Sequence, residues 1–250
     1  MSSPYDNYDY PSYWKGRSYE HRSETLVIKS FLKKLPKIKN ILEIGAGYGR
    51  LTNIYKKYCQ NIILSDPSGK LLKIAKNDHN DKNIKFLISD LQHLKKHIKP
   101  SSIQLVLMVR VIHHIKNCKK AISIINKLLK RNGYLILEFP NKIHIKNIIK
   151  NSLKGNFKFI NDIVEIDIKK NFKKNPLPFK NYHPQMIIDT LKNNGFNIIY
   201  IRSSSNIRSP LCKYILGTKI LLKIEKRFHK VFSKLRFGPS IFILAQKKDN

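Results

Sequence analysis

The stretch Ile41-Leu-Glu-Ile-Gly-Ala-Gly-Tyr-Gly-Arg50 decides how this chain is read. A short apolar run enters three glycines at alternate positions and opens onto Leu51 to Tyr58, which reads as a helix. A strand, a tight turn and a helix N-terminus in that order bring bare backbone against a ligand in α/β proteins. Gly45, Gly47 and Gly49 tolerate positive φ and put no Cβ between main chain and ligand. The dinucleotide fingerprint needs a glycine at the sixth position, where Arg50 stands, too bulky for close helix–strand packing. Glu43 places a carboxylate at the strand end, which repels a pyrophosphate and suits a ligand bearing an ammonium and a sulfonium. These features favour S-adenosylmethionine as the ligand.

Around that motif, 250 residues suffice for one substantial core, with insertions rather than a second domain. Lys+Arg 49 against Asp+Glu 16 gives a formal charge of +33. Such a charge suits nucleic acid or an anionic membrane. Coding bias explains it equally simply, since Lys, Asn and Ile are abundant together throughout the chain. Lysines dispersed over every expected helix favour solvated faces over a binding stripe. Cys59, Cys118 and Cys212 are odd in number and widely spaced, as expected of a reducing cytoplasm. Neither a signal peptide nor an uncharged run of spanning length is recognisable, so a cytoplasmic protein is expected, with peripheral contact at the inner membrane surface as an option.

Residues 1–22 read as an arm or flap whose Trp14, Arg17 and Tyr19 cover the cofactor or plug a sheet edge, and Ser23 reads as the cap of a helix to Leu35. From Asn40 onward strands alternate with amphipathic helices, the pattern of a parallel sheet covered on both faces. Strands are expected at 41–45, 61–66, 84–90, 103–109 and 134–139, with helices at about 50–59, 67–77 and 117–130 between them. Asn132-Gly133 reads as an αL cap on the last of these. Beyond it lie a helix at about 141–151, an extended excursion or hairpin over 156–168, and the breaker Asn175-Pro-Leu-Pro178. A helix at 184–194 and strands 196–202 and 240–246 follow. The segment 211–236 reads as a basic amphipathic helix with Leu211, Ile215, Leu222, Ile224, Phe228, Val231 and Phe232 as its apolar positions.

Taken together these residues resemble the class I S-adenosylmethionine-dependent methyltransferases, most clearly over 41–140. Leu42-Glu-Ile-Gly-Ala-Gly-Tyr-Gly49 is similar to that family's glycine-rich motif, Ser89-Asp90-Leu91 to its adenine-holding motif, and Leu129 to Leu137 to the stretch around strand five. Asp66 matches the family's ribose-binding acid, a role its place about 20 residues after the glycines also supports. Gln104 stands where family members often carry an acid before strand four. The resemblance implies an α/β, Rossmann-like, doubly wound seven-stranded sheet. It is mostly parallel with one antiparallel strand near the C-terminus, helices on both faces and lid insertions at about 141–183 and 203–238 of a single domain, 23–250. The candidate cofactor-binding residues are Glu43, Gly45, Ala46, Gly47, Tyr48, Gly49, Asp66, Pro67, Asp90, Leu91, Val109, Arg110 and Arg17.

Methyl transfer from a sulfonium is an in-line displacement, governed mainly by alignment of the two reactants. A base is needed only for an acceptor that arrives protonated. His113 and His114, after strand four, are candidates for that role or for orienting the acceptor, and His183 and Tyr182 are rivals from the lid. Adjacent histidines diverge, so at most one is expected to face the site. His113, His114 and Cys118 lack a second cluster to complete a metal site. No Asn/Asp-Pro-Pro-Tyr tetrad or Pro-Cys nucleophile motif is present, which lowers nucleic-acid base chemistry. The resemblance leans to a small-molecule or lipid-like acceptor, with no obligate protein partner evident. An RNA-directed methyltransferase, and a non-catalytic S-adenosylmethionine-binding or membrane-associated module that meets lipid through 211–236, are the competing readings.

Overall fold

The computed structural model describes residues 6, 9–168, 178–235 and 238–249. Its centre is a seven-stranded sheet of β1 (Ile38–Ile44), β2 (Cys59–Asp66), β3 (Ile84–Ile88), β4 (Ile103–Met108), β5 (Leu129–Pro140), β8 (Phe196–Ser204) and β9 (Ser240–Lys247). A separate hairpin pairs β6 (Ile166–Asp167) with β7 (Lys180–Asn181). Strand order is β3-β2-β1-β4-β5-β9-β8, with β9 antiparallel to both neighbours. This is the expected Rossmann-like architecture.

Alternation along the strands sends side chains to two cores, one on each face. Leu42, Ile44, Val106, Met108, Leu135 and Leu137 pack under α5 (Cys118–Leu128) and α7 (Pro184–Asn193). Ile41, Ile62, Leu105, Leu107 and Ile136 pack under α2 (Ser18–Leu32), α3 (Thr52–Tyr55) and α4 (Gly69–Asp78). Burying each such side chain contributes about 1.5–3 kcal/mol, so both faces are held.

Several expectations are corrected. The helix after the glycines is short: α3 and a 3-10 turn, Lys56–Tyr58, replace the run to 59. Ser23 is not a cap, because α2 already begins at Ser18 after α1 (Tyr10–Tyr13). Its hydroxyl is buried and bonds Ser204 and the Ser205 N–H instead. Asn132, at φ 56°, lies within β5 beside a register shift against β4 and not at a helix end, since α5 stops at Leu128. The region after β5 holds α6 (Ile145–Ser152), a 3-10 turn at Phe157–Ile160 and the β6–β7 hairpin. Of the breaker 175–178, only Pro178 is among the described residues.

The basic helix is present as α8 (Pro210–Lys234), kinked at Gly217. Its buried positions are Leu221 and Glu225, not the apolar residues read from the sequence; Leu211, Ile215, Phe228 and Val231 are exposed. The Glu225 carboxylate explains the shift of face. It accepts from the Tyr19 hydroxyl and from both N–H groups of Asn206, tying α8 to α2 and to the end of β8. Among the described residues, no helix is long and apolar enough to cross a membrane.

Candidate active site

The pocket opens at the carboxyl ends of β1, β2 and β4, the edge where a parallel sheet splays and leaves a crevice. A cavity of about 230 Å³, open to solvent on one side, is lined by Tyr10, Ile44, Gly45, Gly47, Asp66, Pro67, Leu71, Ser89, Asp90, Leu91, Val109, Arg110, Val111, His114 and Ile115. Its apolar walls with a few converging polar groups are those of a small-molecule site.

The glycine turn forms one wall. Gly45 has φ 70°, and a Cβ there would lie 2.2 Å from Val111 Cγ2, so both conformation and packing require glycine. Gly47, at φ 56°, faces the Tyr10 ring and Leu71, each 3.8–3.9 Å from where its Cβ would be. A side chain there would fill the cradle. Gly49 serves packing instead: its missing Cβ would meet the His79 ring at 2.8 Å.

Asp66 ends β2 with its carboxylate turned into the pocket. One oxygen accepts the Gly47 N–H at 2.8 Å and the other the Ser68 N–H at 2.8 Å. Two lone-pair sites remain for a diol. Burial pushes its pKa up to about 6, against the pull of those two N–H bonds, and Asp6 adds to the rise. Ser68 caps α4 and also donates to Asp6, which belongs to the N-terminal arm. Asp90 is half exposed and accepts from the backbone of His93 and pairs with its ring at 2.7 Å.

Arg110 follows β4 with φ 61°, and its N–H donates to Glu138 at 2.8 Å. Its guanidinium binds Glu24, which also takes Arg50 at 2.9 Å. Burial alone would push the Glu24 carboxyl up, but the guanidiniums of Arg110 and Arg50 outweigh it and hold it below its ordinary value. The Trp14 indole lies against both cations, 3.6 Å from Arg50 and 4.8 Å from Arg110. The bulk of Arg50 therefore points to the arm rather than toward β1.

Of the expected cofactor residues, Gly45, Gly47, Asp66, Pro67, Asp90, Leu91, Val109 and Arg110 line the pocket. Ala46 is buried within the turn, and Tyr48 meets Tyr10 edge-on at 6.1 Å. Glu43 faces the other way, under the sheet, where it accepts the Tyr55 hydroxyl. Burial pushes Glu43 up to about 7. Arg17 lies over the Tyr13 ring, 4.2 Å from its centre, outside the lining. Tyr19, read as part of the cover, is buried against α8.

The histidines separate. His114 lines the pocket, and its Nδ1 is 2.9 Å from the Pro178 carbonyl. Since a carbonyl only accepts, Nδ1 carries a proton in that bond. His113 is buried, packed 4.1 Å from the His114 ring and 4.4 Å from Phe179. His183 caps α7: its Nδ1 accepts the Gln185 N–H, and its Nε2 donates to the Ile160 carbonyl. Tyr182 is buried, donating to the Ile112 carbonyl.

Sequence reasoning did not single out Tyr10, Leu71, Val111 or Ile115. Ile44 and Ser89 belong to the quoted motifs, and Leu71 lies in the first turn of α4, just after Asp66. Nothing local marks Tyr10 among the arm's aromatics.

This donor set fits an adenosyl group: an acid pair, a bare backbone cradle and apolar walls between them. Residues 42–137 match the family model described as a methyltransferase domain. The chain is 29% identical to an uncharacterized protein of Methanocaldococcus jannaschii over 209 residues, 79% of this chain and 77% of that one. An S-adenosylmethionine-dependent methyltransferase of Mesorhizobium loti superposes with a TM-score of 0.61 at 14% identity, covering 87% of this chain and 96% of that one. The magnesium protoporphyrin IX methyltransferase of Synechocystis, solved with S-adenosylhomocysteine, gives 0.58 at 17% identity, covering 92% and 84%.

Proposed function

We propose that this chain, with its methyltransferase-domain match over residues 42–137 and its Rossmann-like sheet, is a class I S-adenosylmethionine-dependent methyltransferase that moves the methyl group to a small-molecule or lipid-like acceptor presented at His114. The observation that carries this reading is the pairing, in one pocket, of the Asp66 carboxylate and glycine cradle with the His114 imidazole.

The bound cofactor supplies an electrophilic methyl group on a positively charged sulfur. The chain supplies the rest. The Asp66 oxygens would accept the ribose hydroxyls, and Ser89, Asp90 and Leu91 would flank the base. Gly45 and Gly47 let the main chain close on the methionine portion, with Tyr10 as cover. His114 Nε2 takes the proton from an acceptor hydroxyl or ammonium, and its bond to Pro178 holds the ring in the required tautomer. Tight alignment supplies most of the acceleration, on the order of 7–11 kcal/mol for two well-oriented reactants.

The test is an acceptor screen with the intact chain, scored by S-adenosylhomocysteine release. Turnover with a small amine, alcohol or acid, unaffected by added RNA, supports the reading. Turnover only with RNA, or cofactor binding without product from any acceptor, overturns it.

A further inference from the structure

α8 carries an apolar face that the described residues leave uncovered. Beyond the Gly217 kink, Ile220, Ile224, Phe228, Val231 and Leu235 recur at helical spacing along one line. Phe228 is 48% exposed, Val231 50% and Leu235 63%, while Ile224 is half-buried. Before the kink, Leu211, Tyr214 and Ile215 are exposed in the same way. The packed line, Leu221 and Glu225, runs beside this stripe and turns the helix toward the domain. On its far side Lys219, Lys223, Lys226, Lys230 and Lys234 form a third, exposed line. Glu225, the helix's one acid, is buried and bonded to Tyr19 and Asn206, so nothing on α8 offsets the lysines at the surface.

We propose that α8 docks the protein on an anionic lipid surface, the stripe entering the headgroup–acyl boundary and the lysines meeting the anionic headgroups. A helix with separate apolar and basic faces has the geometry of an interfacial helix, which lies in the membrane plane and does not cross it. Charge selects this occupant over the others. A second copy would bring another lysine line and another +33 chain against the first, so self-association is opposed. A nucleic-acid phosphate backbone would satisfy the lysines but would leave Val231, Leu235 and Ile220 in contact with charge. An anionic bilayer satisfies both faces together.

The experiment is flotation of the intact chain with phosphatidylcholine vesicles, with and without about one-third phosphatidylglycerol, at low and high salt. It contains neither cofactor nor acceptor, so its outcome is separate from that of the catalytic reading. The protein is expected to float with the anionic vesicles and to stay behind with neutral ones. Phe228→Ser with Val231→Ser, both at exposed positions, is expected to cut the bound fraction at least about tenfold. Lys223→Glu with Lys230→Glu is expected to do the same, and S-adenosylhomocysteine affinity stays at the parent value in both. Absence of binding to anionic vesicles overturns the proposal. So does binding that neither pair of substitutions weakens, or a dimer in light scattering that the serine pair abolishes.

Discussion

Glu43 and Asp66 stand on neighbouring strands, both buried, and only Asp66 turns to the pocket. Glu43 lies in the core against Tyr55, and burial raises it to about 7. A carboxyl whose folded pKa lies above its ordinary 4.5 binds its proton more tightly when folded. Its contribution is therefore fully present below pH 4.5 and is lost as pH rises through about 7. The gap corresponds to about 3 kcal/mol. The parent's thermal midpoint is predicted to fall between pH 5 and pH 8, and Glu43→Gln, which cannot ionise and keeps an acceptor for Tyr55, to flatten that fall. Histidine 114 gives a second prediction at this scale. With an acceptor that must lose a proton, His114→Gln is expected to lower kcat by about a hundredfold or more and leave S-adenosylhomocysteine affinity within about threefold. Steady-state rates and calorimetry on one preparation separate the two effects.

The elements were legible where periodicity and turn chemistry agreed. Strands β1 to β5 and the helices α4 and α5 between them follow from local signals. The exceptions have tertiary causes. Ser23 looks like a cap but is buried mid-helix because Ser204 and Ser205 of the β8 end reach it. The inner face of α8 was misread because a carboxylate, Glu225, is what it buries, and a hydrophobic count passes over a charge. Glu225→Ala leaves the Tyr19 hydroxyl and the Asn206 amide without their acceptor. It is predicted to cost about 1–3 kcal/mol, seen as a lower urea midpoint at unchanged slope. A parent-like midpoint would show that α8 is not held by this carboxylate.

Across the whole molecule, the site is assembled from strand ends read correctly in sequence and from an arm that could not be placed. Asp66, Asp90 and the glycine turn come together because parallel strands β1, β2 and β3 end at one edge. Tyr10 joins them from outside the sheet, and no periodicity reports where an arm lies. The charge of +33 does not converge on the pocket, where Arg110 is paired with Glu24. Cofactor affinity is accordingly predicted to change less than about threefold between low and physiological salt, by calorimetry, whereas an RNA-dependent site would weaken steeply. The central claim is that the bare backbone at 45–49 and the Asp66 carboxylate together grip the adenosyl ligand. Its most direct test is calorimetric titration of S-adenosylhomocysteine into the Asp66→Ala, Gly47→Val double variant, shown by circular dichroism to be folded. Binding at least about a hundredfold weaker than the parent is predicted; parent-like affinity in the folded variant would contradict it.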